Sequence, residues 1–111
     1  MVRDILDAVL RTAGFEPLCA DDAGQAEQLF AADPQSFAAV IVDRRLGSES
    51  GLELIARLRT RRRELPVLLV SGYHERPAEL DRIEGPEVAL LAKPFRAAAL
   101  LTTLRGMLPA P

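Results

Sequence analysis

The chain is poor in cysteine, in lysine and in long apolar stretches, and each shortage excludes something. Cys19 is the single cysteine, so no disulfide within the chain and no cysteine-built zinc site can form. Its place in the run Phe15 to Ala20, which reads as a strand, gives it the role of a buried core thiol. No excess of positive charge is present: the net charge is −2 and the isoelectric point is near 5.4, so the field that attracts nucleic acid is not expected and direct DNA binding by this domain is disfavoured. No apolar run approaches the length of a membrane span, and Met1-Val2-Arg3-Asp4 lacks the pattern of a signal peptide. A cytoplasmic protein with no membrane partner is expected. No repeat or low-complexity linker interrupts the 111 residues, which suffice for one domain, 1–111, with a core.

What is present is a set of short apolar runs, each ending on one polar residue. Lys93, the one lysine beside thirteen arginines, follows Val88-Ala89-Leu90-Leu91-Ala92. Ala38-Ala39-Val40-Ile41-Val42 ends on Asp43, and Pro66-Val67-Leu68-Leu69-Val70 ends on Ser71. Runs without polar alternation read as strands buried on both faces of a parallel sheet. Ligands of such sheets bind beyond the carboxyl ends of the strands, so Asp43, Ser71 and Lys93 are expected on one edge. A carboxylate, a hydroxyl and an ammonium converging there suit the handling of a phosphoryl group.

Between the strands the spacing is helical. Val2, Ile5, Leu6, Val9 and Leu10 predict a helix over 2–13 that stops at Gly14. Asp22, with Gln25 three residues on, caps a second helix that runs to Asp33-Pro34. A third begins near Gly51 and closes in Arg59-Thr60-Arg61-Arg62-Arg63, and the arginine run 57–63 is read as a solvated helix end, with a partner contact as the alternative. A fourth has Pro77 in its first turn and ends at Gly85-Pro86, and a last one spans about Arg96 to Leu108. Alternating strands and helices predict right-handed crossovers and a covered parallel sheet. One departure stands out: the chain opens on a helix where such domains usually open on a strand.

Together Val40-Ile41-Val42-Asp43 with Gly51-Leu52-Glu53-Leu54 behind it, Val70-Ser71-Gly72, and Leu91-Ala92-Lys93-Pro94-Phe95 resemble the receiver domains of two-component response regulators. The set Ser71-Gly72-Tyr73 with Lys93-Pro94-Phe95 is most similar to receivers attached to hybrid sensor histidine kinases. The resemblance implies a flavodoxin-like α/β three-layer sandwich with a parallel sheet, from which the first strand is missing. It implies that Asp43 accepts a phosphoryl group from a phosphohistidine in a histidine-to-aspartate phosphorelay, and that Lys93 and Ser71 stabilise it. The partner would be a sensor histidine kinase or a histidine phosphotransfer protein, with a homodimer left open, and the domain itself would not be an enzyme. It further implies a cis bond before Pro94, and Mg²⁺ held in part by the Asp43 carboxylate and the Arg45 main-chain carbonyl.

The departures from the family pattern carry expectations of their own. The acidic pair that receivers place at the end of a first strand is absent, which reads as an N-terminally truncated domain with impaired Mg²⁺ binding and phosphoryl transfer. Asp21-Asp22 resembles a substitute, but a helix cap explains it better. Gly47 replaces a usual proline, and Leu90 replaces an aromatic that often switches on phosphorylation. With no first strand, Phe15 to Ala20 lacks a neighbour unless it slides against the strand ending at Asp43. The alternative function is a degenerate receiver that binds partners without phosphorylation. A hydrolase triad of Ser71, His74 and Asp81 is set aside, because no Gly-x-Ser-x-Gly elbow surrounds Ser71. A phosphatase with an aspartate nucleophile is disfavoured, because Arg44-Arg45 follows Asp43 in place of a second acid.

Overall fold

A computed structural model describes residues 2–46, 49–72 and 77–108. Gly47, Tyr73 and His74 lie outside the described residues, as do the side chains of Val2 and Ile5. Helix α1 spans Val2–Thr12. It ends where Phe15 N–H donates to the Leu10 carbonyl (2.9 Å) and Gly14 N–H to that of Arg11 (3.1 Å), with Gly14 at φ +95°. These paired bonds need a left-handed residue between them, which is why a glycine stands there. Helix α2 spans Ala23–Ala32 and is capped as the sequence predicts: Asp22 accepts from Gln25 N–H at 2.7 Å, while the Gln25 side chain accepts from Asp21 N–H at 2.6 Å.

Strand β1 (Val40–Asp43) follows, then a small antiparallel ribbon of β2 (Arg45–Leu46) and β3 (Glu49–Ser50), and α3 (Gly51–Arg61). Strands β4 (Val67–Ser71) and β5 (Ala89–Ala92) and helix α4 (Ala97–Met107) complete the chain. The sheet is parallel in the order β1-β4-β5, with Asp43 opposite Val70 and Ser71 opposite Ala92. All of β4 is buried, as a central strand covered on both faces must be. One face of the sheet carries a core of Phe30, Leu54, Ile55, Leu58, Val67, Leu69 and Val88. Leu68 points to the opposite face by alternation, where Leu100 and Leu104 of α4 are buried. The Phe30 and Phe37 rings meet at 5.6 Å, and Arg57 reaches Glu27 at 3.0 Å, so α2 and α3 are joined by both apolar and ionic contacts.

Four expectations are corrected. Phe15 to Ala20 is not a strand and does not slide against β1: no ladder includes it, and a cavity of about 1010 Å³ lies between it and β1. A strand requires a ladder partner, and the sheet ends at β1 with one edge unpaired among the described residues. Cys19 is correspondingly half-buried rather than a core thiol, with its sulfur 3.6 Å from Asp7 Oδ1. The fourth helix is a 3₁₀ segment, Ala78–Arg82. Pro77 and Leu80 are buried and Ile83 packs on the core, an i, i+3, i+6 pattern that three residues per turn place on one side.

The arginine run is also not wholly solvated. Arg59 is 4% exposed and donates to the carbonyls of Leu65 (3.1 and 2.9 Å), Glu84 (3.0 Å) and Pro86 (2.6 Å). Burial pushes its pKa below the ordinary arginine value. Arg62 donates to the Phe37 carbonyl at 2.5 Å and to that of Pro34 at 3.3 Å. These two side chains fasten the end of α3 to the segments that lead into β1 and β5. Gly85 (φ +101°) completes the arrangement, since a Cβ there would overlap the Arg63 carbonyl.

Candidate functional site

The three strand ends form one edge because the register puts them there. Arg44 N–H donates to the Val70 carbonyl (2.9 Å) and Lys93 N–H to the Ser71 carbonyl (2.7 Å), which carries the parallel ladder one step past each strand. Asp43, Ser71 and Lys93 thus stand side by side at the carboxyl end of the sheet, as the sequence predicts. The Lys93–Pro94 bond is cis, as expected.

Lys93 Nζ lies 2.5 Å from Asp43 Oδ2, a charge-assisted contact with both side chains a little over one-third exposed. The other carboxylate oxygen, Oδ1, accepts from Arg45 N–H at 3.0 Å. Ser71 is 4% exposed, a buried polar residue next to the Asp43 and Lys93 strand ends. Gly72 has open space around it: a Cβ there would meet nothing within 4 Å. Its smallness therefore serves no contact among the described residues and leaves room beside Ser71.

The segment after Asp43 is held by features the sequence reading missed. Arg45 pairs with Ser50, and Leu46 with Glu49, in the ribbon. Gly51 N–H donates to the Arg44 carbonyl at 2.7 Å, and the Ser50 hydroxyl accepts from Leu52 N–H at 3.1 Å to cap α3. Gly51 is required, because a Cβ would collide with the Asp43 carbonyl. The available signal was Ser50-Gly51 itself, a cap residue followed by the smallest side chain at a helix start. In antiparallel pairing, hydrogen-bonded and non-bonded pairs alternate, so the bond between Gly51 and Arg44 makes Arg45–Ser50 a non-bonded pair. The Arg45 N–H and carbonyl then face away from β3, on the side where its N–H reaches Asp43.

Comparison with known proteins accords with this geometry. The sequence model described as the response regulator receiver domain matches residues 1–105. The chain belongs to the response regulator receiver domain family. It is 32% identical over 108 residues to the C4-dicarboxylate transport transcriptional regulatory protein DctD of Pseudomonas aeruginosa, covering 96% of this chain and 23% of that protein. It is 34% identical over 96 residues to the transcriptional regulatory protein FixJ of Bradyrhizobium diazoefficiens, covering 85% of this chain and 45% of that protein. The receiver thus spans less than half the length of these relatives. Among solved structures, the chemotaxis protein CheY4 of Vibrio cholerae superposes with a TM-score of 0.84 at 24% identity, over 96% of this chain and 89% of that one. The response regulator TrrA of Thermotoga maritima, in complex with Mg²⁺ and beryllofluoride, gives 0.81 at 21% identity, over 96% and 90%. These likenesses establish the flavodoxin-like receiver fold, of which β1, β4 and β5 are the last three strands in the order 2-1-3-4-5.

Among the described residues the oxygens gathered at Asp43 do not by themselves make up the shell that the family's Mg²⁺ takes. Mg²⁺ takes near-octahedral oxygen coordination, commonly through one or two carboxylates, with waters completing the shell. Here both Asp43 oxygens accept from nitrogen donors, Oδ1 from Arg45 N–H and Oδ2 from Lys93 Nζ. No group of three or more acidic, histidine or cysteine side chains gathers anywhere among the described residues. Asp21 and Asp22 line the same cavity as Asp43, but Asp22 is engaged as the cap of α2. No helix among the described residues is long and apolar enough to cross a membrane.

Proposed function

We propose that this receiver is a phosphoacceptor in a histidine-to-aspartate phosphorelay, a signalling module rather than an enzyme, with Asp43 as the residue phosphorylated. The observation that carries this reading is the contact of Lys93 with Asp43 beside the buried Ser71, on the edge where parallel sheets bind ligands. Phosphoryl transfer asks the protein mainly for positioning and charge neutralisation. Arg45 N–H orients the carboxylate through Oδ1, Lys93 supplies a point charge for a phosphoryl oxygen, and Ser71 supplies a hydroxyl donor. The donor would be a sensor histidine kinase or a histidine phosphotransfer protein, in the cytoplasm.

A dianion beside a carboxylate is repelled unless a cation intervenes, and among the described side chains Lys93 is placed to supply positive charge at Asp43. Leu90, on β5, packs against the core as an aliphatic residue, so no ring is available there to swing inward on phosphorylation. The signal leaves instead through Ser71 and residues 72–84.

Incubation with a small-molecule phosphodonor tests the reading. One acid-stable, base-labile phosphoryl group on Asp43, seen by intact mass and lost in Asp43→Asn, is the expected result. Lys93→Ala should lose more of the response than Ser71→Ala, because a charge does more than a neutral donor beside a dianion. Labelling that persists unchanged in Asp43→Asn would refute it, and no labelling of the unaltered chain would favour the alternative, a receiver that binds its partners without phosphorylation.

A further inference from the structure

We infer that Arg59 is a positioning residue for Lys93: by holding the entry of β5 against the end of α3, it sets the register in which that strand delivers the ammonium to Asp43. The inference rests on the reading of the Asp43 edge as the site and goes beyond it in naming what aligns that edge from the far end of the sheet. Arg59 is 4% exposed, and its Nη1 donates to the carbonyls of Glu84 (3.0 Å) and Pro86 (2.6 Å). The rest of the fork, Nε and Nη2, donates to the Leu65 carbonyl at 3.1 and 2.9 Å. A buried guanidinium is a rigid planar set of donors, and carbonyls bonded to it have little freedom to move. Gly85, between the two held carbonyls, has φ +101°, and a Cβ there would overlap the Arg63 carbonyl and crowd the Arg59 guanidinium. The turn therefore has one seat on the end of α3.

What β5 itself supplies toward its register is little. Ala89–Ala92 is half-buried at every position and, among the described residues, pairs with β4 alone. With no contrast between its two faces the side-chain pattern specifies the pairing weakly, and a slip of one residue would carry Lys93 about 3.3 Å along the strand. That displacement breaks a contact of 2.5 Å. Val88 is buried at the strand's entry, and the chain reaches it from the clamped Pro86 through Glu87 alone. The bonds to Leu65 tie the same guanidinium to the entry of β4, the strand on which β5 is registered. One side chain thus refers both strands to one point, and Ser71 and Lys93 emerge from them at the opposite edge, where Lys93 N–H meets the Ser71 carbonyl at 2.7 Å.

The single lysine makes the test direct: ¹⁵N labelling of lysine yields one side-chain ammonium resonance, and Asp43→Asn marks its position when the contact is lost. In Arg59→Met that resonance should move most of the way to the Asp43→Asn position, and Gly85→Ala, which unseats the same turn, should move it in the same direction. Phe30→Leu trims the core on α2 and should lower stability in urea while leaving the resonance in place. The amide spectrum shows that each variant is folded, and Gly85→Ala decides the matter should Arg59→Met fail to fold. A folded Arg59→Met or Gly85→Ala with the ammonium at its wild-type position overturns the inference. An equal shift in Phe30→Leu overturns it too, since the effect would then be one of stability alone. No phosphodonor enters the measurement, so either result leaves the phosphoacceptor reading intact, and that reading fails separately if the unaltered chain takes up no phosphoryl group.

Discussion

Residues 67–71 and residues 15–20 both read as strands from the sequence, although the second carries Glu16 and Pro17, and the protein treats them in opposite ways. Val67–Ser71 is paired on both edges and buried along its length, with Leu68 and Leu69 at 0% exposure. Phe15–Ala20 has no ladder, faces an open cavity, and leaves Leu18 60% exposed. Apolar composition alone therefore does not make a strand. A neighbour that accepts the backbone bonds does, because an unpaired edge gains neither the ladder nor the full burial that offset the entropy of ordering the chain. The residues of the proposed site belong to the first kind of region, at the ends of β1 and β4 and just beyond β5.

The largest test of this contrast is to supply the neighbour. An N-terminal extension carrying one apolar strand that ends in two acidic residues should fill the cavity and pair both flanks. It should stabilise the fold by about 5 kcal/mol, from several buried side chains and two ladders less the ordering cost. Urea unfolding measures the gain, and hydrogen exchange should show new protection at 15–20. The acidic pair should also raise the Mg²⁺ response above that of residues 1–111 alone. No gain in stability would mean that the cavity does not mark the place of a strand.

Truncation within each region gives the next contrast. Leu69→Ala removes a fully buried side chain and should cost about 2–5 kcal/mol in denaturant unfolding, whereas Leu18→Ala should stay within about 0.5 kcal/mol. Equal losses would mean that the open region contributes as much packing as the sheet. Arg59→Met should cost about 2 kcal/mol, since the carbonyls of Leu65, Glu84 and Pro86 lose a charged donor, while Arg61→Met on the exposed side should be near neutral. Ser50→Ala should cost about 1 kcal/mol through the α3 cap and should loosen the segment that holds Arg45 N–H on Asp43. Amide shifts at Arg45 would report the second effect.

What could be read from sequence follows the same division. Strands β1, β4 and β5 were legible because each apolar run is bounded by a polar residue and finds its partner within the chain. The meeting of Asp43 with Lys93, fifty residues apart, was legible from strand ends and confirmed by direct contact. The helix boundaries at Asp22, Gly14 and Gly51 were legible because caps and stops are local chemistry. The failures are non-local. Phe15–Ala20 has β-compatible composition, and only the sheet's end at β1 reveals that it stays unpaired. Arg59 reads as one more surface arginine, because its carbonyl partners at Leu65, Glu84 and Pro86 come from loops that local periodicity does not describe. The 77–84 segment keeps a period of three, which spacing rules calibrated on α-helices read as a helix.

Hydrogen exchange with and without beryllofluoride tests the central claim most directly, that the packed sheet edge performs the chemistry while the open side does not take part. Increased protection is predicted at 43–46, at 71–72 and through 77–84, and at 93–95, with 2–22 unchanged and all changes absent in Asp43→Asn. Changes confined to α1 and residues 15–22, or changes that persist in Asp43→Asn, would contradict the account.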